Sequence, residues 1–96
     1  MPNALRKDVA TLRRIQAENP ALIKAFAHPL RARIIDRVVR VGPASPSAMA
    51  REFGARLTDV AYHTNTLAKL GLIEIINVRP THASVEHVYG PVKRAP

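Results

Sequence analysis

Hydrogen-bonding side chains are concentrated between residues 58 and 66, in the segment TDVAYHTNT. The amide of Asn65 can pair with adenine through two hydrogen bonds, and Thr58 and His63 can donate to or accept from the edges of bases. Ala61 is small enough to contact a thymine methyl group, and Tyr62 can pack on a sugar or hydrogen-bond to a phosphate. The segment therefore favours contact with nucleic-acid bases. The candidate base-contacting residues are Thr58, Asp59, Ala61, Tyr62, His63, Asn65 and Thr66.

Three of these side chains have simpler interpretations, which stay open from the sequence alone. Tyr62 and His63 are also ordinary residues for the half-exposed face of a helix. Asp59 can only accept hydrogen bonds, and a carboxylate in the first turn of a helix is stabilised by the helix dipole.

The four histidines do not have the spacing of a metal site or a catalytic centre. His87 follows Glu86 in a predicted strand, so their side chains point to opposite faces. The chain has no cysteine, no HExxH or G-x-S-x-G motif and no glycine loop that could cradle a phosphate. We therefore expect no metal, no cofactor and no enzymatic activity.

The chain is short and strongly basic. Its 96 residues include 15 Lys and Arg against 7 Asp and Glu, a formal net charge of +8. This excess favours a polyanionic partner, usually a nucleic acid, although basicity that serves only solubility is the alternative. With 47% hydrophobic residues, the chain should fold as one small domain.

No segment has the composition of a membrane span or a signal peptide. The sequence contains no run of 18 apolar residues, and its basic N-terminal segment lacks an apolar core. The absence of cysteine suits a reducing compartment. We expect no membrane association and a cytoplasmic location, associated with the nucleoid when the protein is bound to DNA.

Apolar periodicity predicts three helices in the first part of the chain. The first runs from Asn3 to Glu18. The second begins at Pro20, with Asn19 as its cap, and turns Leu22, Ile23 and Phe26 inward. The third runs from Pro29 to about Arg40. Its buried stripe is Leu30, Ile34, Ile35, Val38 and Val41.

A helix-turn-helix and a hairpin are predicted to follow. Ser45 and Pro46 begin a helix that ends at Phe53, and a second helix covers 57–70, with Val60, Thr64, Leu67 and Leu70 buried. Gly54 and Gly71 are suited to the left-handed conformation at the helix ends. The β-branched segments 72–78 and 85–89 predict two strands, with 79–84 as the tip between them.

This order of elements predicts a mainly helical fold with a small β-hairpin, a winged helix-turn-helix. The single domain covers 1–90, and 91–96 is expected to be a flexible tail. The motif places helix 57–70 as the recognition helix and 72–89 as the wing.

The stretches AFAHPLRARII, SPSAMAREFG and DVAYHTNTLAKLGLIEI, in this order, resemble the ArsR-type winged-helix transcription regulators of bacteria. The resemblance extends over 21–89. It implies a repressor that binds double-stranded DNA, usually as a homodimer, with the second motif helix in the major groove and the wing on the backbone or minor groove. Thr64 stands where such proteins more often have an aliphatic residue, but its methyl group can still face inward.

The chain also departs from that family. Metal-sensing members carry cysteines in the first motif helix or ligands on a helix after the wing, and neither feature is present in this sequence. Without that last helix, we expect the first helix, within 1–18, to supply more of the dimer contact. The candidate dimer residues are Leu5, Val9, Leu12 and Ile15.

Positive charge is distributed unevenly along the chain. Residues 1–56 contain eleven Lys and Arg against four Asp and Glu, whereas 57–96 contain four against three. The recognition helix is therefore not itself basic, and phosphate contacts should fall mostly on its neighbours. For Arg33, Arg37 and Arg40, phosphate contact and a solvated helix face are equally open, since Asp36 can pair with Arg40.

The wing offers one strong candidate. An arginine at a hairpin tip can enter a narrow minor groove, where the negative potential is enhanced, which favours Arg79 over His82. The candidate phosphate and wing residues are Ser47, Arg51, Arg56, Lys69, Arg79, Thr81 and His82.

Two other functions remain compatible with the sequence. An architectural factor of phage or plasmid type would bend DNA and bind as monomers along a site. A protein-interaction module would use the first-helix stripe to recruit another protein. In contrast, the apolar stripe of the first helix can pair with the same stripe of a second copy, which favours a homodimer on an inverted repeat.

Overall fold

The computed structural model describes residues 20–93, which form four helices followed by a two-stranded hairpin. The helices are α1 (Pro20–Phe26), α2 (Pro29–Asp36), α3 (Pro46–Phe53) and α4 (Leu57–Lys69), and α2 continues as a π-helical turn over Arg37–Val41. The strands are β1 (Ile73–Pro80) and β2 (Val85–Pro91). This architecture confirms the predicted winged helix-turn-helix. The predicted helix from Asn3 to Glu18 and its stripe Leu5, Val9, Leu12 and Ile15 lie outside the described residues.

The helix-turn-helix is bounded by the capping residues that the sequence predicts. The hydroxyl of Ser45 accepts a hydrogen bond from the Ala48 backbone N–H at 3.2 Å, and Pro46 occupies the first turn of α3. Gly54 ends α3 in the left-handed conformation, with φ of 64°. These two ends fix where α3 begins and where the chain turns into α4.

The core lies where the three longer helices meet the base of the wing. It contains the side chains of Ile34 from α2, Val38 from the π-helical turn, Met49 from α3, Val60 and Leu67 from α4, and Ile73 from β1. Backbone hydrogen bonds between Ala44 and Tyr89, of 3.0 and 2.9 Å, join the segment before α3 to β2. The core therefore holds one face of α4 and the base of the wing in a fixed relation.

Three residues predicted to be buried are exposed instead. Ile23 and Phe26 are 53% and 40% exposed, because α1 turns Ala25 to the core. Val41 is 72% exposed, since the π-helical turn shifts the helix register, with the Gly42 N–H bonded to the Arg37 carbonyl. The period of 3.6 residues that predicts Val41 in the buried stripe no longer applies there.

The wing strands extend further toward the tip than the sequence predicts. Arg79 and Pro80 pair with Glu86 and Val85, so the tip consists of residues 81–84 rather than 79–84. Pro80 is accommodated because it is the last residue of β1, where a missing N–H is tolerated. The register shifts between Ile75 and Asn77, which makes Ile76 the extra residue of a β-bulge. At the other end, β2 runs to Pro91, the first residue of the predicted tail.

Candidate nucleic-acid interface

One face of α4 carries an exposed polar stripe. Thr58, Tyr62, Asn65 and Lys69 follow one another at intervals of four, three and four residues, and all four are exposed. Helical geometry aligns residues at this spacing on one side. The side chains of Thr58 and Asn65 make no hydrogen bond to any part of the chain between 20 and 93. The stripe therefore presents free donors and acceptors to solvent.

His63 is on the opposite side of α4, so the prediction that it points outward with the other candidates is wrong. Its ring lies 4.1 Å from that of His28, centroid to centroid, and its Nδ1 accepts a hydrogen bond of 3.0 Å from Nε of Arg31. Residue 63 is three positions after Val60 and four before Leu67, a spacing that predicts burial beside them. That spacing is the signal that could have located it.

Burial and nearby positive charge act on His63 in the same direction. Desolvation is the main cause that lowers the pKa of its imidazole, and His28 and Arg31 lower it further, whereas Asp59 acts weakly the other way. A neutral ring is also required for Nδ1 to accept from Arg31. His63 thus joins α4 to the α1–α2 junction, and its Nδ1 is occupied by Arg31.

Two of the remaining three candidates on α4 are hydrogen-bonded within the fold. A carboxylate oxygen of Asp59 accepts a hydrogen bond of 3.0 Å from Nε of Arg56, and the hydroxyl of Thr66 donates to the Tyr62 carbonyl at 3.0 Å. Ala61 lies on the side of the helix that faces the wing. The structure thus separates Thr58, Tyr62 and Asn65 from the rest of the predicted set.

A groove of about 360 Å³ runs between the helix-turn-helix and the wing. Leu57 and Ala61 line it on α4, Ser47 lines it at the start of α3, and Glu86 and Tyr89 line it on β2. The groove adjoins the helix that carries the exposed stripe.

Glu86 lies in this groove and contacts two of the residues that are predicted to bind phosphate. Its carboxylate accepts a hydrogen bond from the hydroxyl of Ser47, and Arg79 on the facing strand places a guanidinium nitrogen 3.6 Å from the other carboxylate oxygen. The hydroxyls of Ser45 and Ser47 lower the pKa of the Glu86 carboxyl, and the charge of Arg79 adds to this effect. Sequence reasoning did not identify this cluster, although an acidic residue in a strand of a basic domain is a visible signal.

The other residues predicted to contact phosphate differ in whether their side chains already have partners on the protein. Arg51 is exposed and makes no hydrogen bond or ion pair with the described part of the chain, and Lys69 is likewise unpaired there. Arg56 is exposed but pairs with Asp59. At the tip, His82 is exposed, whereas the hydroxyl of Thr81 donates to the Ser84 carbonyl at 3.0 Å and closes the turn.

The arginines of α2 and its π-helical turn have partners on the protein. Arg37 donates through Nε to Glu52 at 2.7 Å and through a second nitrogen to the Gly42 carbonyl at 2.6 Å. The hydrogen bond to Glu52 is the main cause that raises the pKa of Arg37. Arg33 lies 4.4 Å above the ring of Phe53, and Arg40 pairs with Asp36 at 3.2 Å. These contacts favour a structural role for the three arginines.

Two further properties of residues 20–93 bear on function. No group of three or more His, Asp or Glu side chains in this range is arranged to hold a metal ion. Over the same range, no helix combines the length and apolarity needed to span a membrane.

The comparison with known proteins identifies the motif. A family described as a helix-turn-helix domain matches residues 26–76, which is more than half of the chain and includes α2, α3, α4 and the start of β1. No curated protein matches the sequence. Helix-turn-helix domains are binding domains rather than catalytic ones, and the motif indicates a DNA-binding regulator. The chain belongs to the helix-turn-helix domain family.

Proposed function

We propose that the protein is a sequence-specific transcription regulator that binds double-stranded DNA. In this proposal α4 enters the major groove, and the wing contacts the backbone or the minor groove. The observation that supports it best is the exposed stripe of Thr58, Tyr62 and Asn65 on a helix whose other face is buried in the core. The protein therefore presents polar side chains from a rigid element.

Asn65 is the main candidate for base recognition. Its amide is exposed and has no partner between residues 20 and 93, so it keeps both the donor and the acceptor that adenine requires. Thr58 lies two turns before it on the same face and offers one hydroxyl. Tyr62 is 63% exposed between them and can pack on a sugar or bond to a phosphate. The three residues would then read adjacent positions in one groove.

Phosphate contacts would come from the last residue of α4, Lys69, and from residues outside the helix. Arg51 and Lys69 are exposed and unpaired within the described range, and Arg56 begins α4 with its side chain 82% exposed. Ser47 and Thr81 line the groove, His82 is at the wing tip, and Arg79 lies in β1 opposite Glu86. Contacts of this type are independent of sequence, and they make binding strongly dependent on salt.

We also propose a homodimeric repressor of the ArsR type that acts by occupying an operator. The motifs that carry the resemblance lie at the α1–α2 junction, in α3 and in α4. An exposed apolar surface supports a second copy as partner: Phe26 and Val39 line a cavity of about 200 Å³ together with Ala32 and Ile35.

Two substitutions test base recognition and phosphate contact separately. Asn65→Ala should weaken binding to a preferred duplex, enriched from a random pool, by roughly 1–3 kcal/mol, with little change on scrambled DNA. Arg51→Ala should weaken both duplexes alike and reduce the slope of log K against log salt by about one. Binding is measured by fluorescence anisotropy at two salt concentrations.

Thr66→Ala is the matched control for Asn65→Ala. It changes the next residue of α4, but its hydroxyl is already bonded to the Tyr62 carbonyl, so the preference between duplexes should be unchanged. Equal losses for Asn65→Ala on preferred and scrambled DNA would contradict the proposed role of Asn65. Full activity of the protein with both Asn65 and Tyr62 replaced would favour a protein-interaction module.

A further inference from the structure

We propose that Glu86 competes with DNA phosphates for the same binding groups, and that DNA must displace its carboxylate from Ser47 and Arg79. This inference deepens the proposed function and rests on it. It assigns a phosphate-binding subsite to the groove between α3 and the wing, with Glu86 as its internal occupant in the free protein.

The two partners of Glu86 come from different elements of the interface. Ser47 is in the first turn of α3, and its hydroxyl donates to one carboxylate oxygen. Arg79 is in β1, directly opposite Glu86 in the strand register, 3.6 Å from the other oxygen. The hydroxyl of Ser45 lies 3.2 Å from that of Ser47 and completes the cluster. Glu86 thus ties the helix-turn-helix to the wing.

Hydroxyls and a guanidinium are also the groups that bind phosphate oxygens in protein–DNA complexes. A carboxylate resembles a phosphate in its negative charge and its acceptor oxygens. Hydrogen bonds from Ser45 and Ser47 favour the ionised form, so the charge is present at neutral pH. In the free protein, the carboxylate of Glu86 therefore occupies the groups that would bind phosphate.

DNA that contacts Ser47 and Arg79 together would meet this competition, because Glu86 lies between them. Glu86 lines the groove between the helix-turn-helix and the wing, and about a quarter of its side chain is exposed. A backbone phosphate placed at Ser47 and Arg79 would meet the carboxylate at short range, where like charges repel. The carboxylate must rotate away, and hydrogen bonds to an ionised group must be exchanged.

The test compares Glu86→Gln with wild type in binding to a preferred duplex and to its scramble. The glutamine keeps the size of the side chain and removes its charge. Because phosphate contact carries no sequence information, the variant should bind both duplexes more tightly, by about tenfold, the scale of one charge-assisted hydrogen bond. The ratio between the two affinities should stay the same.

Glu74→Gln is the matched control. Glu74 also lies on the wing, in β1, but it pairs opposite Gly90 and accepts a hydrogen bond from the Lys93 backbone N–H at 3.3 Å. The Glu74→Gln variant makes the same change in net charge outside the groove. Its effect on DNA affinity therefore measures only the long-range electrostatic field of the protein. We expect Glu74→Gln to increase DNA affinity by less than about twofold, since exposed charges are screened by salt.

A second measurement tests whether Ser47 is one of the groups for which Glu86 and phosphate compete. In the Ser47→Ala background, the gain from Glu86→Gln should shrink, because one of the contested groups is gone. A gain of the same size in the wild-type and Ser47→Ala backgrounds would contradict competition for Ser47.

The outcomes distinguish this inference from the proposed function. DNA binding by wild type with equal gains for Glu86→Gln and Glu74→Gln would overturn the role of Glu86 alone. Absence of DNA binding by wild type and by Glu86→Gln would overturn both proposals. Binding that appears only in Glu86→Gln would support the competition directly.

Discussion

Thr64→Val should stabilise the protein, because Thr64 buries a hydroxyl group without a partner. Its side chain is fully buried on the face of α4 that carries Val60 and Leu67. Its Oγ1 has no hydrogen-bond partner in the part of the chain that the structure describes. Valine has the same branched shape, so the substitution replaces only the hydroxyl with a methyl group and leaves the packing intact.

The size of the effect follows from the burial of that hydroxyl. A buried polar group without a partner destabilises a folded protein by roughly 1–3 kcal/mol. Taking the lower end, we expect the free energy of unfolding to rise by about 1 kcal/mol. For a domain of this length, that corresponds to an increase in Tm of about 4–8 °C. Thr and Val have similar helix propensities, so the helix itself contributes little to the difference.

The assay is thermal unfolding followed by circular dichroism, at one fixed protein concentration so that self-association does not shift Tm. Thr66→Val is the matched control: it makes the same chemical change two residues along α4, where the hydroxyl donates to the Tyr62 carbonyl. We expect no gain from Thr66→Val. A Thr64→Val variant with an unchanged or lower Tm would refute the reasoning and show that the hydroxyl is satisfied in solution.

Three more predictions concern pH, the core and a turn. Because the pKa of His63 is lowered in the folded state, the unfolded chain takes up a proton first as pH falls through the ordinary histidine range. The free energy of unfolding should therefore be highest above about pH 6.5 and decrease below it. Urea titrations should show a smaller decrease with pH for His63→Asn than for the wild type. Ile34→Ala empties a fully buried position and should lower the free energy of unfolding by about 2–5 kcal/mol, measured with urea; a loss below about 1 kcal/mol would contradict its place in the core. Gly54→Ala should lower it by about 1–2 kcal/mol through backbone strain alone, since φ is +64° and no atom lies within 4 Å of the added Cβ; an unchanged value would show that the turn tolerates alanine.

The helix ends could be predicted from the sequence because they depend on local chemistry. Ser45 and Pro46 begin α3, and Gly54 and Gly71 take the left-handed conformation after α3 and α4, with φ of 64° and 78°. Capping and left-handed turns involve only neighbouring residues, so each is visible in a short window of sequence.

Features that depend on tertiary contact could not be predicted in this way. The π-helical turn that exposes Val41 and the β-bulge at Ile76 leave no local pattern in the sequence. The partners of Arg37 and Glu86 lie 15 and 39 residues away in the chain. Such pairs depend on how the elements pack, which residue spacing within one element does not determine.

The candidate site was predicted in part. The period of the helix correctly puts Thr58, Tyr62 and Asn65 on the exposed side of α4. Because His63 lies outside the predicted buried stripe, the sequence predicts it on the same side, although its spacing from Val60 and Leu67 indicates the buried one. In the fold, Nδ1 of this histidine accepts a hydrogen bond from Arg31, and its ring packs against that of His28.

The position of DNA on the protein tests the central claim most directly. Backbone amide chemical shifts of the full chain are recorded by NMR during titration with a duplex enriched from a random pool. We predict that the largest shifts occur along the exposed stripe of α4, at Thr58, Tyr62 and Asn65, and at the wing tip, residues 81–84. Small shifts are expected at Ile35 and Val39, on the surface proposed for the second copy. Shifts centred on that surface, with α4 unchanged, would contradict recognition of DNA by α4.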